Sequence, residues 1–309
     1  MRRLRASAER RRGWFLTGAV AAFCASATGP TPASAALPDF SPNPGVSWLA
    51  DPGGFKPPAS GAGPVQDDPL HPTVTNDDYR LTGKQPTFPV ADLSNPILQP
   101  WVRDALRRHN EQIFAGKSGL GPRQSCWPVG IPALLIVGVF RPIYIVQSAK
   151  EVLMTWQLDH QYRHVYLNVP HSRNVKPSWF GESIGHYEGD ALVVDTIGIS
   201  EKTVMDDYLT PHSDRLHVVE RYRMTNRGRD MEVQLHVEDP GAFTTPWNAV
   251  QHFHRLEPGI SENTLAVAND PTTGRSVAGP LQEESCAENA KPLFTDQELP
   301  IPQANTPDF

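Results

Sequence analysis

The sequence has little positive charge and lacks the loops that hold phosphates. It contains 28 Lys and Arg residues against 34 Asp and Glu residues, which gives a net charge of −6 at pH 7. Nucleic acids and anionic membrane surfaces are bound by basic patches, so this balance argues against both partners. Neither a Gly-rich phosphate loop nor a dinucleotide-binding fingerprint occurs in the sequence. We therefore expect a small-molecule ligand or substrate.

Long hydrophobic runs are also missing, and the apolar stretch at 14–27 is too short to span a bilayer. It follows a basic segment and precedes a small-residue cleavage site, Ala33-Ser34-Ala35, which is the layout of an export signal covering residues 1–35. Within it, the sequence Arg-Arg-Gly-Trp-Phe-Leu at 11–16 resembles a twin-arginine signal. The alternatives are an ordinary secretory signal and an uncleaved membrane anchor. We expect a periplasmic or secreted protein with no stable membrane insertion after cleavage and a mature net charge near −11.

Cysteine is scarce, with three residues in the chain, and Cys24 lies in the export signal. Cys126 and Cys286 remain in the mature protein. In an oxidising compartment such a pair forms a disulfide more often than a metal site. We predict a disulfide between Cys126 and Cys286, and two free thiols are the alternative.

Proline is concentrated before the main domain, where residues 36–100 contain 13 of them. Because proline donates no backbone hydrogen bond, this segment is predicted to be an arm or linker without regular core elements. Apolar residues at helical spacing then predict one short helix at 101–114. This helix opens a single β-rich domain predicted at 101–295, and residues 296–309 are expected to form a C-terminal tail.

From about residue 132 the sequence alternates between strand patterns and turn signals. Glu188-Gly189-Asp190 joins two apolar runs, and the sequence TNRGRD joins two more, as in β-hairpins. Sequential hairpins with few helices predict a mostly β protein built as an antiparallel meander. Closure into a lipocalin-like barrel would remove the exposed edges of this meander, and a sandwich is the alternative.

Three motifs resemble those of an uncharacterised family of exported bacterial β-rich proteins. W-x-G-x-S-x-G-x-Y-E-G-D-x-L-V-V lies at 179–194 and P-H-S-x-x-L-x-V-x-E-R at 211–221, while 159–171 is similar to the family pattern D-H-x-W-R-Q-I-Y-x-D-G-R-P-H. The chain departs from the family at Tyr187, where the motif has Trp. The resemblance covers roughly residues 85–290 and implies the fold and export, but the family has no established activity and implies no reaction.

Strand parity places polar residues on faces that are otherwise apolar. If 152–167 is one strand, His160, Tyr162, His164 and Tyr166 share the face of its apolar half. In the sequence LHVVERYRM, Glu220 and Tyr222 lie on the apolar face, where an ionised carboxylate needs a partner. A buried histidine beside a carboxylate is an acid/base pair, so we predict that these side chains project into one interior. A bulge near residue 159 would reverse the parity and send His160 outward.

The candidate residues follow from this interior and from the loops expected over it. Arg163 is expected to bind an anionic group or to pin a carboxylate, and Asp195 is expected to be buried among apolar neighbours. The predicted catalytic residues are His160, His212 and Glu220, and the predicted substrate-binding residues are Arg163, His171, Tyr162 and Tyr222. If a divalent metal is bound, its ligands are expected to be His160, His212 and Glu220, with the strand pair His252 and His254 as a weaker alternative.

Three functions are compatible with these patterns. The first is an acid/base enzyme, a hydrolase, lyase or isomerase, that acts on a small organic molecule. The second is a lipocalin-like binding protein in which the same polar groups only orient a ligand. The third is a structural exported domain whose histidines belong to a satisfied core network.

Overall fold

A computed structural model describes residues 37–42, 46–75, 78, 82–117, 121–122, 126–136, 142–156, 161–258, 267–269 and 276–278. The described part consists mainly of β-strands and contains the helix α1 at Pro100–Phe114. The strands are β1 Ser47–Ala50, β2 Ile143–Gln147, β3 Glu151–Trp156, β4 Tyr162–Leu167, β5 Glu182–Glu188, β6 Ala191–Ile197, β7 His217–Thr225, β8 Asp230–Glu238, β9 Trp247–Pro258, β10 Val267–Asn269 and β11 Ser276–Ala278.

The first nine strands form a closed barrel in chain order, because β1 also pairs with β9. Trp48 of β1 lies between Ile143 of β2 and Arg255 of β9. Closure leaves these strands without free edges, which is the solution expected for a long meander. The prediction of a mostly β, lipocalin-like barrel is therefore confirmed. Its β5–β6 hairpin turns at Gly189, whose φ of 61° suits a glycine in a tight turn.

One strand pair departs from the predicted antiparallel pattern, since β4 and β5 are parallel. A closed ring of nine strands cannot be antiparallel throughout, because directions that alternate around an odd ring must repeat once. Parallel neighbours cannot be joined by a tight turn, so the chain needs the long connection 168–181 to return to the start of β5. That connection carries His171.

Large side chains fill the barrel interior. The alternating pattern of β7 and β8 places Val218 and Tyr222 of β7, and Val233 and Leu235 of β8, inside the barrel. Close packing of this kind makes an interior sensitive to changes of even one methylene group. Among the largest fully buried side chains are Trp48, Trp156, Tyr222, Phe253, Ile145 and Met154.

The proline-rich arm contributes to the core, contrary to the prediction that it holds no regular element. Its strand β1 is buried at all four positions, and Phe40 and Phe55 are buried beside it. The prolines flank this short strand, so all four of its residues keep the backbone N–H that a ladder requires. The arm therefore supplies the strand that closes the barrel.

The predicted strand at 152–167 is instead the hairpin of β3 and β4, which pair antiparallel. In β3 the even-numbered residues face inward, whereas in β4 the odd-numbered residues Arg163, Val165 and Leu167 do. The inward placement of Tyr162, His164 and Tyr166 is therefore wrong, since all three lie on the outer face of β4 and the Tyr162 side chain is 59% exposed.

The predicted helix is confirmed as α1. Pro100 at its first turn is compatible with a helix start because the missing N–H has no partner there in any helix. Val102, Leu106 and Asn110 are buried, and the Asn110 amide bonds both backbone polar groups of Ala91 in the arm. The described residues contain no helix with the length and hydrophobicity needed to cross a bilayer.

Candidate functional site

Arg163 and Glu220 form a buried ion pair inside the barrel. Their side chains are 1% and 0% exposed, and both guanidinium Nη atoms donate to the Glu220 carboxylate, with Nη1 3.1 Å from Oε1. Such a two-point contact matches the planar geometries of both groups. The prediction that Glu220 lies on the inner face of β7 is confirmed, and Arg163 pins its carboxylate.

Three hydroxyl groups complete this buried cluster of Arg163, Glu220, Ser183, Thr196 and Tyr222. Arg163 Nε donates to Ser183 Oγ at 2.9 Å, and Nη2 donates to Thr196 Oγ1 at 2.6 Å. The Tyr222 hydroxyl lies 3.5 Å from Nη1 and donates to Glu220 at 3.2 Å. All five N–H groups of Arg163 thus have an acceptor, so the cluster resembles a satisfied core network more than a site that awaits a ligand.

Burial and the charge of Glu220 together determine the protonation states of Arg163 and Tyr222. It raises the pKa of the Tyr222 phenol well above its ordinary value, with the Glu220 charge acting in the same direction. Burial works to lower the pKa of Arg163, but the adjacent Glu220 carboxylate outweighs it and the pKa is raised. Near neutral pH, Tyr222 is therefore neutral and Arg163 is charged.

His212 lies in the connection between β6 and β7 and is 2% exposed. Its neutral ring donates through Nδ1 to the Ser213 carbonyl at 2.9 Å, and Nε2 lies 2.8 Å from the Thr203 hydroxyl. Burial lowers the pKa of His212, which keeps the ring uncharged near neutral pH. Its contacts fix the loop conformation and join no carboxylate.

A row of alternating carboxylates and imidazoles crosses the outer face of the barrel at one end. It begins at Glu182, which accepts hydrogen bonds from the backbone N–H and the hydroxyl of Ser172. His171 Nδ1 lies 3.0 Å from Glu182 Oε1, and His171 Nε2 lies 2.9 Å from Asp195 Oδ1. The parallel pairing of β4 and β5 explains this placement, because the connection it requires brings His171 back to the start of β5.

The row continues over β7 and β8. His217 Nε2 lies 3.0 Å from the same Asp195 Oδ1, and His217 Nδ1 lies 3.4 Å from Glu238 Oε2. His236 Nε2 is 3.1 Å from Glu238 Oε1, and its Nδ1 is 2.8 Å from Asn248 Oδ1. We call this set the rim row; its members are Glu182, His171, Asp195, His217, Glu238 and His236.

Strand direction gathers the rim row at one end of the barrel. Strands β5 and β7 begin there, while β6 and β8 end there, so Glu182 and His217 lie level with the ends of β6 and β8. The connections at this end, 198–216 and 239–246, are long, whereas the opposite end has short turns. Long loops carried on a rigid scaffold are where binding and catalytic residues concentrate.

The hydrogen bonds shift the protonation of the rim row. The bond from His217 lowers the pKa of Asp195, and the bond to Asp195 raises the pKa of His217. The pKa of Glu182 is lowered first by Ser172, and that of Glu238 is lowered first by His236. A neutral imidazole has one N–H, but His217 has a carboxylate at each ring nitrogen, so only the protonated ring satisfies both. Asp195 and Glu238 therefore favour the protonated form of His217.

The predicted site residues thus occupy several separate places. Glu220, Arg163 and Tyr222 share the buried cluster, His171 belongs to the rim row, and His212 holds a loop. Asp195, expected to be buried, is 38% exposed on the outer face. His160 and Cys286 lie outside the described residues. The catalytic role of His160 and the disulfide between Cys126 and Cys286 therefore stay predictions.

Sequence reasoning missed His217, His236 and Glu238 because each lies on a strand face that looks solvated. What the three residues share is a position at the ends of neighbouring strands. This shared position can be recognised only when the pairing register of the strands is known. Within the part of the chain that the structure describes, no three His, Cys, Asp or Glu residues are arranged to hold a metal ion. The described members of the predicted ligand set, His212 and Glu220, are bonded to different partners instead.

No protein-family model, curated protein or solved structure matches this chain.

Proposed function

We propose that this protein is an exported acid/base enzyme that acts on a small organic molecule, with His217 as the residue that transfers the proton. One observation carries the proposal: Asp195 Oδ1 bonds Nε2 of both His171 and His217. A carboxylate on one ring nitrogen orients an imidazole and stabilises its charged form, as in enzymes that use histidine for proton transfer.

The reactive atom in this proposal is His217 Nδ1. Its bond to Glu238 is the longest in the rim row, at 3.4 Å, and the Glu238 side chain is 46% exposed. A substrate atom can replace this weak contact and receive the proton from Nδ1 or return it. Asp195 then acts as the orienting residue, and His171 and Glu182 hold Asp195 from the other side.

The charges of the site limit its substrates. Three carboxylates lie in the row, and their pKa values are lowered while that of His217 is raised. Neighbouring groups whose pKa values are pushed apart provide an acid and a base at the same pH. The carboxylates repel anions, so the proposed substrate is neutral or cationic, and the reaction is a hydrolysis, an elimination or an isomerisation driven by proton transfer.

The test compares two histidine variants on a panel of neutral esters, lactones and β-hydroxy carbonyl compounds. We expect H217Q to lower kcat about a hundredfold or more, the usual contribution of a positioned acid or base. The matched control H252Q removes an exposed histidine of β9 and should leave kcat unchanged. Equal rates for H217Q and the wild type, or an equal loss in both variants, would contradict the proposal. Thermal unfolding should show that both variants are folded.

A binding protein without chemistry is the second candidate. The observation in its favour is that both ring nitrogens of His171 are bonded to carboxylates, so this ring holds Asp195 in place for a ligand and has no free nitrogen to exchange a proton with it. Under this alternative, the wild type turns over no member of the panel, and H217Q changes only the pH dependence of ligand affinity.

A further inference from the structure

Strand β4 carries aromatic side chains on the outer face of the barrel. Tyr162 and Tyr166 are 59% and 48% exposed, and His164 lies between them. The His164 ring is 5.8 Å from that of Tyr162 and 6.0 Å from that of Tyr166, with the second pair inclined by only 14°. We call these three residues the aromatic strip. Exposed apolar groups that cluster in this way mark ligand or protein contacts more often than isolated ones do.

The strip leads directly to the rim row. Tyr166 is the register partner of Ile184 on β5, and Ile184 is the partner of Asp195 on β6. All three side chains lie on the outer face. Neighbouring strands are about 4.8 Å apart, so the Cα atoms of Tyr166 and Asp195 are separated by about 10 Å. One bicyclic molecule can therefore touch the tyrosine ring and the shared carboxylate together.

We infer that Tyr166 and Ile184 bind the apolar body of a neutral aromatic substrate whose polar group reaches Asp195 and His217. This inference rests on the proposed function and names its substrate class. Aromatic rings favour contact with other rings at offset or edge geometries, and Tyr166 has its exposed face available for this. An anionic molecule is disfavoured because Glu182 and Asp195 lie beside the path.

A small molecule fits this surface better than a second copy of the chain. The core of a protein interface is depleted in charged residues. Here Glu151 bonds His164 within the strip at 3.1 Å, and Glu188 bonds His186 on the neighbouring strand β5 at 2.8 Å. Carboxylates therefore lie next to the aromatic strip on both neighbouring strands, β3 and β5, which suits a small ligand better than the charge-poor core of a protein interface.

The experiment measures binding of 6-fluoro-2-naphthol, a neutral bicyclic phenol, to the full chain by ¹⁹F NMR titration. We expect saturable binding by the wild type and a Kd raised about tenfold in Y166S, the size expected for one lost aromatic contact. The control F88S removes an exposed aromatic side chain of the arm and should leave Kd unchanged.

Each outcome either supports the inference or overturns it. Unchanged affinity in Y166S, or no saturable binding by the wild type up to millimolar probe, overturns it. Self-association of the wild type that Y166S abolishes also overturns it, in favour of a second copy as the occupant. Turnover that depends on His217, together with normal probe binding by Y166S, would sink this inference and leave the proposed function standing. Loss of probe binding in Y166S together with full turnover by H217Q would support binding of an aromatic ligand at Tyr166 and contradict the proposed role of His217.

Discussion

At the scale of single residues, the molecule separates charges that are buried from charges that are exposed. Arg163 and Glu220 are enclosed by the barrel, whereas Arg223 and Asp190 form an ion pair with side chains 56% and 63% exposed. An exposed pair gains little because water screens it, but a buried charge that loses its partner has no solvent to replace it. The two pairs therefore test the same interaction in different surroundings.

The variant R163M should lower the free energy of unfolding by about 3–5 kcal/mol, because it leaves the Glu220 carboxylate buried without its partner. The control R223M should cost less than about 1 kcal/mol. Urea unfolding of both variants measures the difference. The double variant R163M/E220L should recover part of the loss, since it removes the isolated charge as well. A cost for R163M no larger than for R223M would contradict this account.

The sequence identified Glu220 correctly because an acidic residue stood out on an apolar strand face. It also suggested that Arg163 pins a carboxylate, but it did not predict that Glu220 is the one. That pairing depends on how β4 and β7 face each other across the interior, which no local pattern encodes. Tyr162 was misplaced for a related reason, since alternation continues through the β3–β4 hairpin while the inward parity reverses.

At the scale of elements, strand ends determine the candidate site. Strands β5 to β8 were predicted from period-2 patterns, and the β5–β6 hairpin from its glycine turn. Their pairing register aligns Asp195 with Val219 and Val219 with His236, so residues far apart in sequence become neighbours. Each of these strands contributes only one or two members of the row. The rim row exists only when they are paired.

The stability contributed by His217 should depend on pH. Its pKa is raised above the ordinary 6.5, so its contribution is complete below that value and is lost as the pH rises through the raised folded pKa. The lowered pKa of Asp195 has the opposite consequence, since its contribution is lost only as the pH falls through that lowered value. Both contributions are therefore present in mildly acidic solution.

The measurement is the free energy of unfolding of the wild type minus that of H217Q. This difference should be larger at about pH 5.5 than at about pH 8.5, by less than about 1 kcal/mol because the groups are partly exposed. In the control variant H252Q, the replaced histidine has no carboxylate partner among the described residues. The corresponding difference in unfolding free energy should therefore depend less on pH. An H217Q difference that stays constant across this range would show that the bonds to His217 do not stabilise its protonated form.

At the scale of the whole molecule, closure depends on β1. The sequence predicted a closed barrel from the number of strands, but it assigned 36–100 to an arm because its prolines prevent long ladders. The four residues of β1 escape that constraint and pair with both β2 and β9. Trp48 is completely buried there, and its indole N–H donates to the Phe40 carbonyl at 2.9 Å.

The variant W48A should therefore destabilise the protein by about 3–5 kcal/mol, the usual cost of truncating a buried tryptophan. The control W101A removes a side chain that is 43% exposed and bonds the Gly241 carbonyl. Its cost should be close to that of one hydrogen bond, about 1 kcal/mol. Chemical denaturation followed by circular dichroism measures both. Similar losses for the two tryptophans would show that β1 is not essential to closure.

The pairing of β1 with β9 also determines when the barrel can form. The Gln251 side chain bonds the Asp51 carbonyl across 200 residues of chain. Contacts between such distant segments carry a large loop-closure cost and slow folding. A chain emerging from the ribosome has no closed barrel until β9 has been synthesised. Until then β1 has only its first neighbour, β2, to pair with, and the ring of strands stays open.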